Sequence, residues 1–299
     1  MTAAFIPTSS GIRSHDTPRL FALIGGVRRR LCLLVMVGIC LSAATASGQE
    51  KSATKRLLLL GQGPDGHPAT THEYMAGMRI LESLLRDIPN LQVSVHQADG
   101  EWPEGPELLR DADAAVLFLS QGAKWIHAEP RRLEAFAQLA ARGGGLSVLH
   151  WGMGTKEAEN IGGFLKLFGA CHGGPDRRYK VLESPLRLPN PNHPVAKGLS
   201  PFEAHDEFYY TLKTIDGGQA LTPLIEAHID DQWYMVAWAW QRGDGGRSFG
   251  FSGLHFHRNW KLPEYRRLAL QGIVWTAGLP IPEQGLKVEI AAEQLELKP

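Results

Sequence analysis

Gly143-Gly144-Gly145-Leu146-Ser147-Val148-Leu149-His150-Trp151-Gly152 is the stretch that decides the fold. The glycine triplet stops a helix predicted over residues 130–141, since glycine readily takes the left-handed backbone at a helix end. Residues 146–149 make a short apolar strand, and His150-Trp151-Gly152 turns the chain toward a further helix. A helix feeding a strand that feeds a helix is the unit of a parallel sheet, because parallel neighbours need a crossover between them.

The same alternation extends outward on both sides. Short apolar or alternating strands are predicted at residues 56–60, 91–95 and 114–119. Tyr74, Met78, Leu81 and Leu85 follow one another at spacings of four, three and four, which gives a helix one stripe to pack on the sheet. Thr70 and Glu73 form a capping-box pair at its start. Strands are predicted again at residues 208–212, 221–227, 235–240 and 247–252, before a last helix over 263–277 that closes at Gly278 with Pro280 behind it. The fold class read from this pattern is α/β, a mainly parallel sheet with helices on both faces.

A chain of 299 residues that is 43% hydrophobic can bury one large core. Its 31 basic residues balance 31 acidic ones, so it has no field to gather nucleic acid or an anionic membrane surface. Arg28-Arg29-Arg30, an apolar run over 31–43 and Ala44-Thr45-Ala46 read as a signal peptide over residues 1–46, which predicts export to the periplasm or beyond. The apolar run falls short of the roughly 20 residues of a membrane span, so no stable span is expected once the leader is cleaved. Cys32 and Cys40 depart with the leader and leave Cys171 alone, without a disulfide partner. A linker at 47–54, a domain at 55–282 and an extended tail at 283–299 complete the predicted organisation.

Four groups could carry chemistry. Gly61-Gln62-Gly63-Pro64-Asp65-Gly66 matches the dinucleotide fingerprint in its letters, but Pro64 and Pro68 delay the helix that should meet a pyrophosphate, so the loop shapes a pocket instead. It continues through His67 to Thr71-His72-Glu73-Tyr74 at the carboxyl end of the first strand, the edge where open α/β sheets bind ligands. Glu73 either caps its helix or joins the site. His150-Trp151 occupies a turn like that of a nucleophile elbow, yet offers neither Ser nor Cys there. Cys171 reads as a small buried side chain.

In Leu254-His255-Phe256-His257, an extended backbone would send His255 and His257 to one side. Two imidazoles so placed could ligate a divalent metal such as zinc, completed by Glu73 or Glu207; the other reading is a metal-free pocket lined by hydrogen-bonded histidines. Asp206 and Glu207 point to opposite faces of a strand, so one of them looks into a given pocket, as a general base or as a tie to loop amides.

These motifs, with His193-Pro194, Asp206-Glu207-Phe208-Tyr209-Tyr210, Gly250-Phe251, His255-Phe256-His257, Trp260 and Ile273-Val274-Trp275, resemble in their order the ThuA-like (trehalose-utilisation) family, especially exported members with a Gly-His-Phe-His segment. Leu254 stands where that segment has glycine, and residues 153–178 depart from the family pattern. The resemblance implies a flavodoxin-like, class I glutamine amidotransferase-like fold without the catalytic cysteine. It also implies a small-molecule carbohydrate partner, of the trehalose or keto-disaccharide kind.

Two functions fit. In the first, an enzyme of the hydrolase, lyase or isomerase type works on an unusual sugar. His72, His150, His255, His257 and a carboxylate from Glu73, Asp206 or Glu207 would move protons, and Asp65, His67, Trp151, Tyr209 and Trp260 would hold the ring. In the second, the same pocket captures a carbohydrate without turning it over.

Overall fold

The computed structural model describes residues 53–297. The predicted leader and linker residues 47–52 lie outside the described residues.

The chain runs β1 (Lys55–Gly61), α1 (Tyr74–Leu85), β2 (Leu91–Gln97), α2 (Gly105–Asp111), β3 (Ala114–Leu117), α3 (Gly122–His127), α4 (Pro130–Ala141) and β4 (Gly145–Leu149). It continues through β5 (Gly154–Thr155), α5 (Ile161–Phe168), β6 (Ala170–Gly173), β7 (Arg178–Arg187), β8 (Phe202–Tyr210), β9 (Lys213–Thr214) and β10 (Thr222–Ile229). The last elements are β11 (Gln232–Gln241), β12 (Arg247–Phe251), α6 (Pro263–Thr276) and α7 (Ala292–Leu295).

Nine strands form one sheet in the order β2-β1-β3-β4-β12-β11-β10-β7-β8. The pairings from β2 to β12 are parallel, and those from β12 to β8 are antiparallel. Half of the sheet is thus the expected doubly covered parallel layer, and the other half is an antiparallel extension. A small sheet, β5-β6-β9, stands apart.

Strand alternation distributes the core between two faces. Leu57 and Leu59 of β1 join Met78 and Leu81 of α1 and Leu268 of α6 on one face. Leu58 and Leu60 join Leu109 of α2, Ile126 of α3, Phe136 of α4 and Phe164 of α5 on the other. Burial on both sides is why β1 reads as an unbroken run of leucines.

Local signals explain most of the boundaries and some of the differences. Helix α4 follows Pro130 at its first position, with Glu129 accepting from Arg131 N, and ends just before the glycine triplet. The capping box at α1 is only half formed: Glu73 Oε1 accepts from Thr70 N at 3.0 Å, but the helix begins at Tyr74 and Thr70 sits at φ +73° without capping it. Helices α2 and α3 are too short to show a repeat, and β7 alternates with mostly exposed residues, so neither kind announces itself in sequence.

The predicted tail packs back on the domain. Val288 and Leu295 are buried, Arg266 Nε donates to Val288 O at 2.9 Å, and α7 lies against the turn that follows β12. No helix among the described residues is long and apolar enough to cross a membrane.

Candidate functional site

The loops after β1, β4 and β12 leave the same edge of the sheet, and backbone hydrogen bonds tie two of them together. His72 N donates to His255 O at 3.0 Å, His257 N donates to Thr70 O at 2.8 Å, and Thr71 bridges Phe256 between them. His72 (φ +54°), His150 (φ +45°) and Leu254 (φ +79°) all hold the left-handed backbone that favours glycine. Strain of this kind, roughly 1–3 kcal/mol per residue, persists where the surroundings impose it, and it gathers at functional sites.

Leu254 is the position where the sequence motif leads one to expect glycine, and the left-handed turn is kept despite the leucine. What holds it is Asp206, fully buried on β8, whose carboxylate accepts from Leu254 N at 2.6 Å and His255 N at 3.2 Å. Gly253 lets that carboxylate approach, since a Cβ there would lie 3.0 Å from Asp206 Oδ2.

Four donor atoms meet at the centre: a nitrogen from each of His72, His150 and His255 and a carboxylate oxygen of Glu207 all lie within 4.8 Å of one another. His150 Nδ1 donates to Ser252 O at 2.7 Å. A carbonyl can only accept, so Nε2 of the neutral ring carries a lone pair. His72 Nδ1 donates to Asp65 Oδ2 at 3.0 Å, which likewise leaves its Nε2 as an acceptor. These two nitrogens face each other at 3.0 Å, and His255 Nδ1 stands 3.2 Å from His150 Nε2. Glu207 Oε1 adds negative charge at 3.9 Å from His150 and 3.7 Å from His255. The Tyr209 hydroxyl, 2.9 Å from His150 Nε2, is a donor within reach of this group.

Electrostatics keep the imidazoles neutral. Burial pushes the His255 ring down to about 4, helped by neighbouring His72, and drives His150 well below its ordinary value. His72 is lowered too, by burial against the opposing pull of Asp65. Burial opposes ionisation of Asp65, but hydrogen bonds from His72, Tyr74 and His67 outweigh it and hold the carboxyl below the usual range. Burial, then the charge of Asp206, pushes Glu207 up to about 7. The arrangement brings imidazole lone pairs and a carboxylate oxygen together, with the Tyr209 hydroxyl as a donor to His150 Nε2.

A cavity of about 310 Å³ opens beside the centre. Trp151 and Tyr209 form apolar walls, and His172 stacks on Tyr209 with ring centroids 3.9 Å apart and planes 5° from parallel. Asp65, with its side chain buried, and the exposed His67 also line it, His67 donating from Nδ1 to Asp65 Oδ1 at 2.7 Å.

Several residues read as site candidates fall elsewhere. His257 opens a 3-10 turn instead of extending the strand, so it does not share a side with His255; its Nε2 donates to Leu295 O at 2.9 Å. Asp206 ties the loop described above and faces away from the cavity. Glu73 binds Thr70 N at the start of α1, apart from the four donor atoms. Trp260 is 1% exposed and packs in the core beside Phe118 instead of lining the pocket. Conversely, Ser120, Gln121, Lys156, His172, Arg177 and Tyr179 line the cavity without having been assigned to it from the sequence, which left the role of His172 open. Half of them, Lys156, His172 and Arg177, lie within residues 153–178, where the sequence departs from the family pattern. Cys171 is fully buried, which pushes its thiol up to about 12, so it offers no nucleophile.

A family model described as trehalose utilisation, ThuA, matches residues 65–276. The chain belongs to the ThuA family. The matched ThuA segment begins at Asp65 and takes in the three loops and every donor of the central cluster. No curated protein matches the chain. A solved structure described as ThuA-like from Parabacteroides merdae is similar at 16% identity and a TM-score of 0.57, covering 82% of this chain and 100% of that one. A second from Bacteroides uniformis, also described as ThuA-like, gives 14% identity and 0.58 over 77% of this chain and 94% of that one. A cytoplasmic protein of Salmonella typhimurium gives 16% and 0.51 over 74% and 98%. At such identities the likeness concerns the ThuA fold and leaves the chemistry to the residues.

Proposed function

We propose that this ThuA protein binds a first-row divalent cation such as zinc through His72 Nε2, His150 Nε2, His255 Nδ1 and Glu207, and uses the site on a carbohydrate. The carrying observation is the pair of nitrogens at 3.0 Å, both acceptors, with a third nitrogen and a carboxylate turned to the same point. Three imidazoles and one carboxylate suit zinc and its neighbours in number and chemistry, and partners on the far ring nitrogens are what orient such ligands.

The ion would supply Lewis acidity toward a sugar carbonyl or hydroxyl. Trp151 and Tyr209 offer faces to a ring, and the carbohydrate reading draws on the family's trehalose-utilisation description. His67, oriented by Asp65 and exposed in the cavity lining, is the group placed to exchange protons with substrate while the buried histidines are committed.

Elemental analysis of purified protein tests the centre: about one equivalent of metal is expected, and a metal-free protein that takes up none on reconstitution ends the proposal. Incubation with keto-disaccharides then separates turnover from capture, since binding with no product would make the protein a carbohydrate-binding module. Export is also proposed from the Arg28 to Ala46 pattern, and a protein recovered only from the cytoplasm with residues 1–46 intact would overturn it.

A further inference from the structure

Two cations line the cavity. Lys156 and Arg177 both face it, and neither takes part in an ion pair among the described residues. The carboxylates beside them in sequence are committed elsewhere: Glu157 to Lys124 at 2.8 Å, and Asp176 to Lys213.

Their nearness is built into the small sheet. Strand β5 runs parallel to β6, with Gly154 beside His172 and Thr155 beside Gly173, so the segments that follow both strands emerge together. Gly174 N donates to Thr155 O at 3.2 Å across this junction. Arg177 is fixed in its turn by donation from Nη1 to Gly174 O at 3.0 Å, and its guanidinium carbon stands 6.0 Å from the Trp151 ring centroid. The rest of its fork is left to a ligand, in the planar geometry that suits carboxylate and phosphate.

Charge accounting points the same way and rests on the metal reading above. Asp65 and Glu207 bring two negative charges to the cavity lining, and Lys156 and Arg177 bring two positive ones. Imidazoles ligate as neutral rings, so a bound divalent ion would leave the site with two positive charges to be balanced. A neutral sugar would leave that field unanswered.

We propose that the cavity takes a single sugar ring bearing an oxyanion, a carboxylate or a phosphate, held by Lys156 and Arg177 with the ring against Trp151. At about 310 Å³ the space is at the small end of ligand pockets, which suits one substituted ring better than a longer glycan.

The test is calorimetry on the zinc-loaded full chain with glucuronate, glucose 6-phosphate and trehalose, repeated on the Lys156→Ala/Arg177→Ala double variant, with metal content and thermal midpoint measured on every sample. At least one acid is expected to bind about tenfold or more tightly than trehalose. The double variant is expected to lose about tenfold or more of that affinity, with metal content and midpoint unchanged, and Lys156→Arg/Arg177→Lys to restore most of it. Which acid is preferred identifies the oxyanion. Trehalose bound as tightly as both acids, no binding of either acid, or an unchanged affinity in the double variant each overturns the inference. If the protein carries no metal yet discriminates acids through these two residues, the metal reading fails and the anion site stands.

Discussion

His72 Nε2 and His150 Nε2 stand 3.0 Å apart, each with its opposite ring nitrogen committed to an acceptor, His72 to Asp65 and His150 to Ser252 O. Two acceptors at hydrogen-bond distance repel unless something positive lies between or beside them. The relationship gives the metal centre a specific mutational signature.

His72→Ala, His150→Ala, His255→Ala and Glu207→Gln should each abolish stoichiometric zinc, measured by elemental analysis after dialysis. His257→Ala should retain it, since that ring serves the tail through Leu295 O. Its cost is instead a stability loss of about 1 kcal/mol, from one buried hydrogen bond, read from a denaturant midpoint. Loss of metal in His257→Ala with the fold intact would contradict the ligand assignment.

Asp65 accepts from His72, His67 and Tyr74 and touches the centre only through His72. Asp65→Asn keeps the shape but weakens the polarisation of the His72 ring. Zinc affinity should fall about 10- to 100-fold without vanishing, in competition with a chromophoric chelator. Tyr74→Phe should cost less, because it removes one donor from the carboxylate and leaves the bond to His72. Equal affinity in Asp65→Asn and the wild type would show that the ring is oriented by packing alone.

Asp206→Ala strips the acceptor from two buried backbone amides, Leu254 N and His255 N, and frees a leucine at φ +79° to relax. An unmet buried donor costs about 1–3 kcal/mol, so a loss of roughly 3 kcal/mol is expected in urea unfolding. His255 is carried by the same turn, so metal affinity should fall as well. A variant as stable as the wild type would mean that the turn holds itself.

The parallel half of this molecule is legible in sequence because burial on both faces writes runs such as Leu57 to Leu60, and glycines such as those at 143–145 mark the helix end. The antiparallel half is legible as strands but not in its direction, which depends on pairing between distant segments. At the site, His72, His150 and His255 stand out as histidines in the loops that follow strands, and Glu207 as one of two adjacent carboxylates within β8. His257 misleads because the two-residue rule holds only while the backbone stays extended, and here it turns. Lys156 and Arg177 carry no local signal at all: their meaning comes from the small sheet that sets their loops side by side.

His172 offers a measurement of the electrostatic cost of this pocket that does not involve a proposed ligand. It is 2% exposed, stacked on Tyr209, and burial followed by the charge of Arg177 pushes its pKa down to about 3 from an ordinary 6.5. Below the ordinary value the unfolded chain takes up a proton that the folded ring refuses, so stability falls as pH falls from about 6.5 toward about 3. At about pH 5 the share due to His172 is roughly 2 kcal/mol, from 1.36 kcal/mol per unit. A His172→Phe variant keeps an aromatic ring on Tyr209 and has no such proton to refuse. Its urea midpoint should therefore drop less than that of the wild type between about pH 7.5 and pH 5, with metal-free protein used for both. Parallel losses in the two proteins would mean that His172 is protonated in the folded state at pH 5, against the burial that its stacking on Tyr209 imposes.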